Sequence, residues 1–184
     1  MSISTLPLSY CTNVHPGVTV SEVVQGIQSY SCEIQRSLGR PIAAGLWLSH
    51  PVISELVADP AKIEQLRETL RSSNLTTYTL NAFPYGDFHS ARVKENVYLP
   101  DWTDANRLRY TLDCARILAQ LLPEGVEGSL STVPLGFKSL NNQPDFQSSC
   151  IRQIVQFARA MDELHDDTGQ VVRLAIEPEP LCIL

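Results

Sequence analysis

The chain never places two cysteines in a Cys-x-x-Cys pair, never gathers its basic residues into a stripe, and contains no apolar run long enough to span a bilayer. Its five cysteines, Cys11, Cys32, Cys114, Cys150 and Cys182, are odd in number and widely spaced. That argues against a disulfide framework and against a thiolate zinc site, and it leaves each cysteine as a small buried apolar residue. Fourteen Lys and Arg against twenty Asp and Glu give a net charge of −6. A nucleic-acid backbone attracts the opposite pattern, so no nucleic-acid partner is expected. The opening segment MSISTLPLSYCTNVHPG has neither the basic n-region nor the apolar stretch of a leader, and with no membrane span the expectation is a cytoplasmic protein.

What the chain does have is enough apolar material, 43% of 184 residues, for one sizeable core in a single domain over residues 1–184. Short β-like runs alternate with longer helical ones. Leu6 to Asn13 reads as a strand. Thr19 or Ser21 caps a helix to about Leu38, which Arg40-Pro41 ends. Ala43 to Ser49 is a second strand, and Pro51 to Ser73 a helix broken at Asp59-Pro60. Thr76 to Ala82 is a third strand. Thr103 and Asp104 cap a helix from Ala105 to Leu122, with an apolar stripe through Leu108, Leu112, Ala115, Leu118, Ala119 and Leu122. Val126 to Val133, Asp145 to His165 and Val171 to Ile176 complete the pattern as strand, helix and strand. Repeated β-α order predicts a parallel sheet.

An open doubly wound sheet competes with a barrel. The former needs a Gly-rich turn after the first strand, and Cys11 to Pro16 offers none. Alternate residues are apolar on one parity, namely Leu8 and Tyr10, Tyr78 and Leu80, and Val172, Leu174 and Ile176, and these should face helices. The other parity is small or polar: Ser9, Cys11, Asn13; Thr77, Thr79, Asn81; Ser129, Ser131; Arg173, Ala175, Glu177. A polar lumen whose functional groups collect at the C-terminal rim favours a (β/α) TIM-type barrel, although hydroxyls satisfied inside a packed interior give the same pattern.

The stretches LSYCTNVHPG, FPYGDFHSARVKENVYLPDW, GSLSTVPLGFK and LAIEPEP together resemble the metabolite traffic protein EboE family, a branch of the xylose isomerase-like barrel superfamily. The resemblance implies a barrel with a metal-centred pocket at its C-terminal mouth and a role in moving or processing a small-molecule precursor of a secondary metabolite. It implies a divalent ion (Mn, Mg or Zn) with Glu177 as first ligand and Glu179 as a weaker candidate. A full barrel takes roughly 250 residues. The resemblance therefore also implies a partial barrel of about four βα units plus a fifth strand, with an incomplete ligand set, and self-association or a complementing C-terminal half as partner.

At the rim, His15 and Asn13 follow the first strand, where an imidazole and an amide meet a polyhydroxylated or carbonyl substrate, although His-Pro-Gly is also an ordinary turn. Phe83 to Trp102 reads as a long loop of the kind that forms lids. Phe83, Tyr85 and Trp102 would wall off solvent and His89 or Lys94 would meet a polar substrate group, unless the aromatics merely pack on a helix. Trp47 extends the aromatic wall, Asn81 on the polar parity of the third strand is a further substrate-binding candidate, and Ser131, with Thr132 and Lys138, closes the same rim. No Gly-x-Ser-x-Gly elbow supports Ser131 as a nucleophile. Glu177 is either a metal ligand or a rim carboxylate that is solvated or paired with Arg173. Two activities stay open. One is an isomerase- or epimerase-like enzyme, with His15, His89 or Lys94 moving protons. The other is a metabolite-binding carrier, with an inactive fragment as a further possibility.

Overall fold

The computed structural model describes residues 7–86 and 97–183. Among the described residues, seven strands and six α-helices follow one another in the order β1 (Ser9–Cys11), α1 (Val20–Gly26), α2 (Cys32–Leu38), β2 (Ala43–Trp47), α3 (His50–Ala58), α4 (Pro60–Ser72), β3 (Thr76–Asn81), α5 (Ala105–Leu121), β4 (Gly128–Thr132), β5 (Gly136–Phe137), α6 (Phe146–Thr168), β6 (Val172–Ile176) and β7 (Cys182–Ile183). Five strands form one parallel sheet in the order β1-β2-β3-β4-β6. Chain order and spatial order coincide, which sets this sheet apart from the doubly wound alternative. A small antiparallel ribbon, β5 with β7, was not foreseen from sequence.

Local chemistry explains the helix boundaries. Thr19 and Glu22 form a reciprocal capping box at the start of α1. Between α1 and α2 the chain makes a π-helical turn, Ile27–Ser31, that lets both Ile27 and Ser31 face the core. Gly39, at φ 63°, ends α2 in a left-handed conformation that glycine adopts without strain. Asp59 closes α3, and its Oδ1 accepts from the Ala61 N–H at 3.0 Å to open α4, so Pro60 breaks the helix where expected. Asp104, rather than Thr103, caps α5, accepting from the Asn106 N–H at 2.8 Å.

The sheet sorts its side chains by face. Leu46, Leu80, Leu130 and Leu174 lie level on neighbouring strands, and the first three are fully buried. They meet the helical layer, in which α5 packs on β3, β4 and β6, α4 on β3, and α6 on β6. The opposite row, Cys11, Gly45, Thr79, Ser129 and Arg173, is level across all five strands, with Cys11, Thr79 and Arg173 exposed.

Three expectations are corrected. The strict alternation of β3 fails because Ala43 pairs with Thr76 but Gly45 pairs with Thr79, an extra residue on β3. This β-bulge turns Thr77 into the core and leaves Tyr78 half-buried. The first strand starts at Ser9, with Leu8 55% exposed, and gives way to a 3-10 turn at Thr12–Val14. Of the cysteines, Cys114, Cys150 and Cys182 are buried, but Cys11 is exposed.

Leu130→Ala should cost about 2–5 kcal/mol, because the methyls removed belong to a fully buried row between sheet and helices. Val14→Ala, at a 58% exposed position, should change stability by less than about 0.5 kcal/mol. Urea denaturation followed by circular dichroism measures both.

Candidate functional site

Strand register gathers part of the expected site. Trp47 pairs with Asn81, Asn81 with Ser131, and Ser131 with Ala175, so three candidate side chains stand in line at the C-terminal ends of β2, β3 and β4. Trp47 is buried and donates its indole N–H to Pro84 O at 3.1 Å. Asn81 is half-buried and its Oδ1 accepts from the Phe83 N–H at 2.8 Å, which leaves its amide nitrogen as donor. Ser131 is half-buried.

One level below lies a residue that sequence reading passed over. A Cβ on Gly45 would sit 2.9 Å from Ser9 Oγ and 3.3 Å from Thr79 Oγ1. The glycine therefore leaves a flat floor between two hydroxyls. A glycine inside an otherwise apolar strand, here AAGLW, is the signal that marks such an approach. Ser9, Thr79, Ser129, Asn81 and Ser131 thus offer neutral hydrogen-bonding groups on one face of the sheet. Arg173 on the same face is tied to Glu127 by two contacts of 2.7 Å. The pairing of Glu177 with Arg173, one of the alternatives the sequence leaves open, is therefore not what the side chains do.

Glu177 extends the sheet, its N–H donating to Thr132 O at 3.0 Å, and is half-buried. Glu179 belongs to the turn into β7. Its carbonyl accepts from the Cys182 N–H, and its charge adds to burial in raising the pKa of the Tyr98 hydroxyl. Among the described residues no group of three His, Cys, Asp or Glu could hold a metal ion.

His15 does not stand isolated at the rim. Its Nε2 lies 2.6 Å from the Tyr10 hydroxyl, and its ring stacks on Tyr30 with centroids 3.8 Å apart. With Thr12, Gly17, Glu22 and Trp47 it lines a cavity of about 20 Å³, room for a single water. Asn13 sits in the 3-10 turn beside it. His89 and Lys94 lie outside the described residues.

The described ends of the aromatic loop pack inward. Phe83 is buried edge-on to Tyr98, which in turn meets Phe137 of β5. Tyr85 stacks on His50 at 4.5 Å and meets Tyr110 at 5.0 Å. Trp102 is corrected: its indole is fully buried, edge-on to Phe157 of α6, so it fills the core instead of walling a pocket.

These loop ends are held by α5, in a way that sequence reading missed. Arg107 is fully buried and donates from Nε to Pro100 O and from Nη1 to Ala82 O, both at 2.7 Å. Tyr110 donates to Leu48 O at 2.6 Å and lies 3.2 Å from Pro84 O. Burial lowers the Arg107 pKa and raises those of Tyr110 and Cys114. The Cys150 thiol is pushed up to about 11, by burial first and by the charge of Asp101 second.

No protein-family model matches this chain, and no curated protein sequence matches it significantly. No helix among the described residues is long and apolar enough to cross a membrane.

Two outcomes follow. Tyr110→Phe strips the donor from Leu48 O and should cost about 1–3 kcal/mol, read as a lower urea midpoint. Burial also favours protonated Cys150 in the folded state, so its contribution is intact below the ordinary thiol pKa of roughly 8.5. That contribution is lost as pH rises from there through about 11. A Tm profile across that window should fall, and should fall less steeply in Cys150→Val.

Proposed function

We propose that the five-stranded sheet is an arc of a (β/α) barrel of the xylose isomerase-like, EboE-like kind, and that its polar face and C-terminal rim bind a small, uncharged, polyhydroxylated metabolite for processing or transport. The observation that carries this reading is the register line Trp47, Asn81 and Ser131, with the Gly45 floor and the Ser9 and Thr79 hydroxyls beneath it. Sequential strand order and an exposed polar face also support it.

The chemistry of the array selects the ligand class. Amide and hydroxyl groups both donate and accept, as alternating hydroxyls on a sugar or polyol require. The array's single cation, Arg173, is already engaged by Glu127, which disfavours a phosphate. A neighbouring indole adds an apolar wall of the kind that small-molecule sites use to exclude water.

The divalent ion implied by the resemblance fits the described residues poorly. Hard cations take six or more oxygen ligands, and here two carboxylates, Glu177 and Glu179, stand without a convergent third group. No step is therefore assigned to a metal, and binding is the reading the geometry favours.

Titration of D-xylose, D-fructose and xylitol into ¹⁵N-labelled protein tests it. Amides of Gly45, Thr79, Asn81 and Ser131 should shift saturably. Asn81→Ala and Ser131→Ala should each weaken binding roughly three- to ten-fold, and Gly45→Ala should weaken it by filling the floor. Absence of saturable shifts on this face would overturn the proposal.

A further inference from the structure

A second cleft opens at the other end of β3, away from the C-terminal rim. It has a volume of about 300 Å³ and is lined by the last residues of α4 and α5 and the first of β3. That volume lies at the lower end of the roughly 300–1,000 Å³ that small-molecule sites span. Leu70, Leu75 and Leu122 give it an apolar wall, Arg67 and Arg71 line it with charge, and Thr77 lines it as well.

Thr77 is the residue that local packing does not explain. It is 1% exposed, and its Oγ1 has no hydrogen-bond partner. A valine would fill the same volume without a polar atom, whereas a buried hydroxyl left unpaired is destabilising. The β-bulge between Thr76 and Thr79 is what turns this side chain inward. Bulges recur beside binding sites because they re-aim one side chain without moving the rest of the strand.

Arg67 and Arg71 are the only charged side chains that line the cleft. Arg67 donates from Nε and Nη2 to Gln120 O, at 3.4 and 3.3 Å, and pairs with Glu64 through Nη1. Arg71 pairs with Glu68 through Nε and Nη2 at 2.7 and 2.8 Å, contacts that leave its Nη1 out. Neither glutamate lines the cleft, and their side chains are 62% and 51% exposed. Pairs as exposed as these contribute little and are readily exchanged for another anion. The carbonyl ends of two helices lie at the same place and oppose a second negative charge. A monoanion is therefore favoured over a phosphate dianion, and a carboxylate matches the planar fork of a guanidinium.

We propose that this cleft binds a small hydroxyaryl carboxylate. The carboxylate meets Arg67 and Arg71, whose side chains are 41% and 74% exposed and so mark the open side. The ring lies against the leucines, and the hydroxyl meets Thr77 Oγ1 on the closed side. A ring holds the two polar ends apart and loses little conformational freedom on binding. The site does not rest on the polyol reading, which concerns the polar face and the opposite ends of the strands.

Sodium 4-hydroxybenzoate, sodium benzoate and 4-methylphenol are titrated into the ¹⁵N-labelled full chain, with sodium chloride at equal ionic strength as control. The first should shift the backbone amides of Asn74, Thr77 and Leu122 saturably and raise Tm, while Asn81 and Ser131 stay in place. Benzoate lacks the hydroxyl and 4-methylphenol the charge, so each should bind roughly three- to ten-fold more weakly. Thr77→Val should abolish the difference between 4-hydroxybenzoate and benzoate. Arg71→Gln, at an exposed side chain, reads the charge independently of any effect of Thr77→Val on the strand. It should weaken both acids and leave 4-methylphenol unchanged. No saturable shift at the three amides, or an equal response to chloride, overturns the proposal. So does wild-type protein that binds 4-hydroxybenzoate no better than benzoate, which would assign the Thr77 hydroxyl to an internal water. An Arg71→Gln variant that binds both acids as well as wild type overturns it too.

Discussion

The upper edge of the sheet depends on two side chains of one helix reaching across to satisfy backbone carbonyls. Where the chain leaves β2 and β3 it must bend, and bending strips the carbonyls of Leu48, Ala82, Pro84 and Pro100 of the partners a ladder would supply. Arg107 and Tyr110, one turn apart on α5, provide donors to all four. A buried carbonyl left alone costs about as much as a lost hydrogen bond, so the two side chains decide which bends are tolerable. An arginine suits the task because its fork serves two acceptors in fixed geometry while its flat face lies near the aromatic rings of Tyr85 and Tyr110. The same anchoring brings Pro84 O under the Trp47 indole and Tyr85 against His50, so the aromatic surroundings of the rim follow from α5.

The two faces of the sheet answer to different demands. Toward the helices, leucines at one level on successive strands belong to the same core as Leu118, Ala115 and Cys114 and supply the apolar burial that holds the domain together. Parallel sheets are ordinarily covered on both sides. Here the second side carries hydroxyls, an amide, a glycine and an arginine already held by a glutamate. Such a surface tolerates water, because each group can exchange a solvent partner for a ligand partner at little net cost.

Much of this was legible in the chain. Strand and helix order, the Asp59-Pro60 break and the Thr19 cap follow from turn chemistry and periodicity, which act over a few residues. What escaped depends on neighbours distant in sequence. Nothing local marks Arg107 for burial, and the expected stripe holds at Ala115, Leu118, Ala119 and Leu122 but not at Leu108 and Leu112, which are half-buried. Arg107, Tyr110, Thr111 and Cys114 take the buried positions in that first half of α5. Only the loop carbonyls explain why a cation belongs there. Trp102 and His15 were placed at the rim because aromatic and imidazole groups near strand ends suggest ligands, yet Phe157 of α6 and Tyr30 of the π-helical turn claim their rings first. The β5–β7 ribbon pairs two short segments some forty-five residues apart, beyond the reach of any local pattern.

The extra residue in β3 acts as a phase break. Upstream of it, Leu75 and Thr77 point into the core, while downstream Leu80 and Ala82 do so, a spacing that no regular strand allows. The strand is thereby divided into two lengths whose side-chain orientations are set independently. Substitutions that retune packing beneath the N-terminal half need not rotate Thr79 and Asn81. A single-residue deletion at the bulge would leave those two facing as they do and force the burden of adjustment onto the turn at Asn74, which already holds a positive φ of 52°. The bulge separates the facing of Thr79 and Asn81 from that of Thr76 and Thr77 within one continuous element.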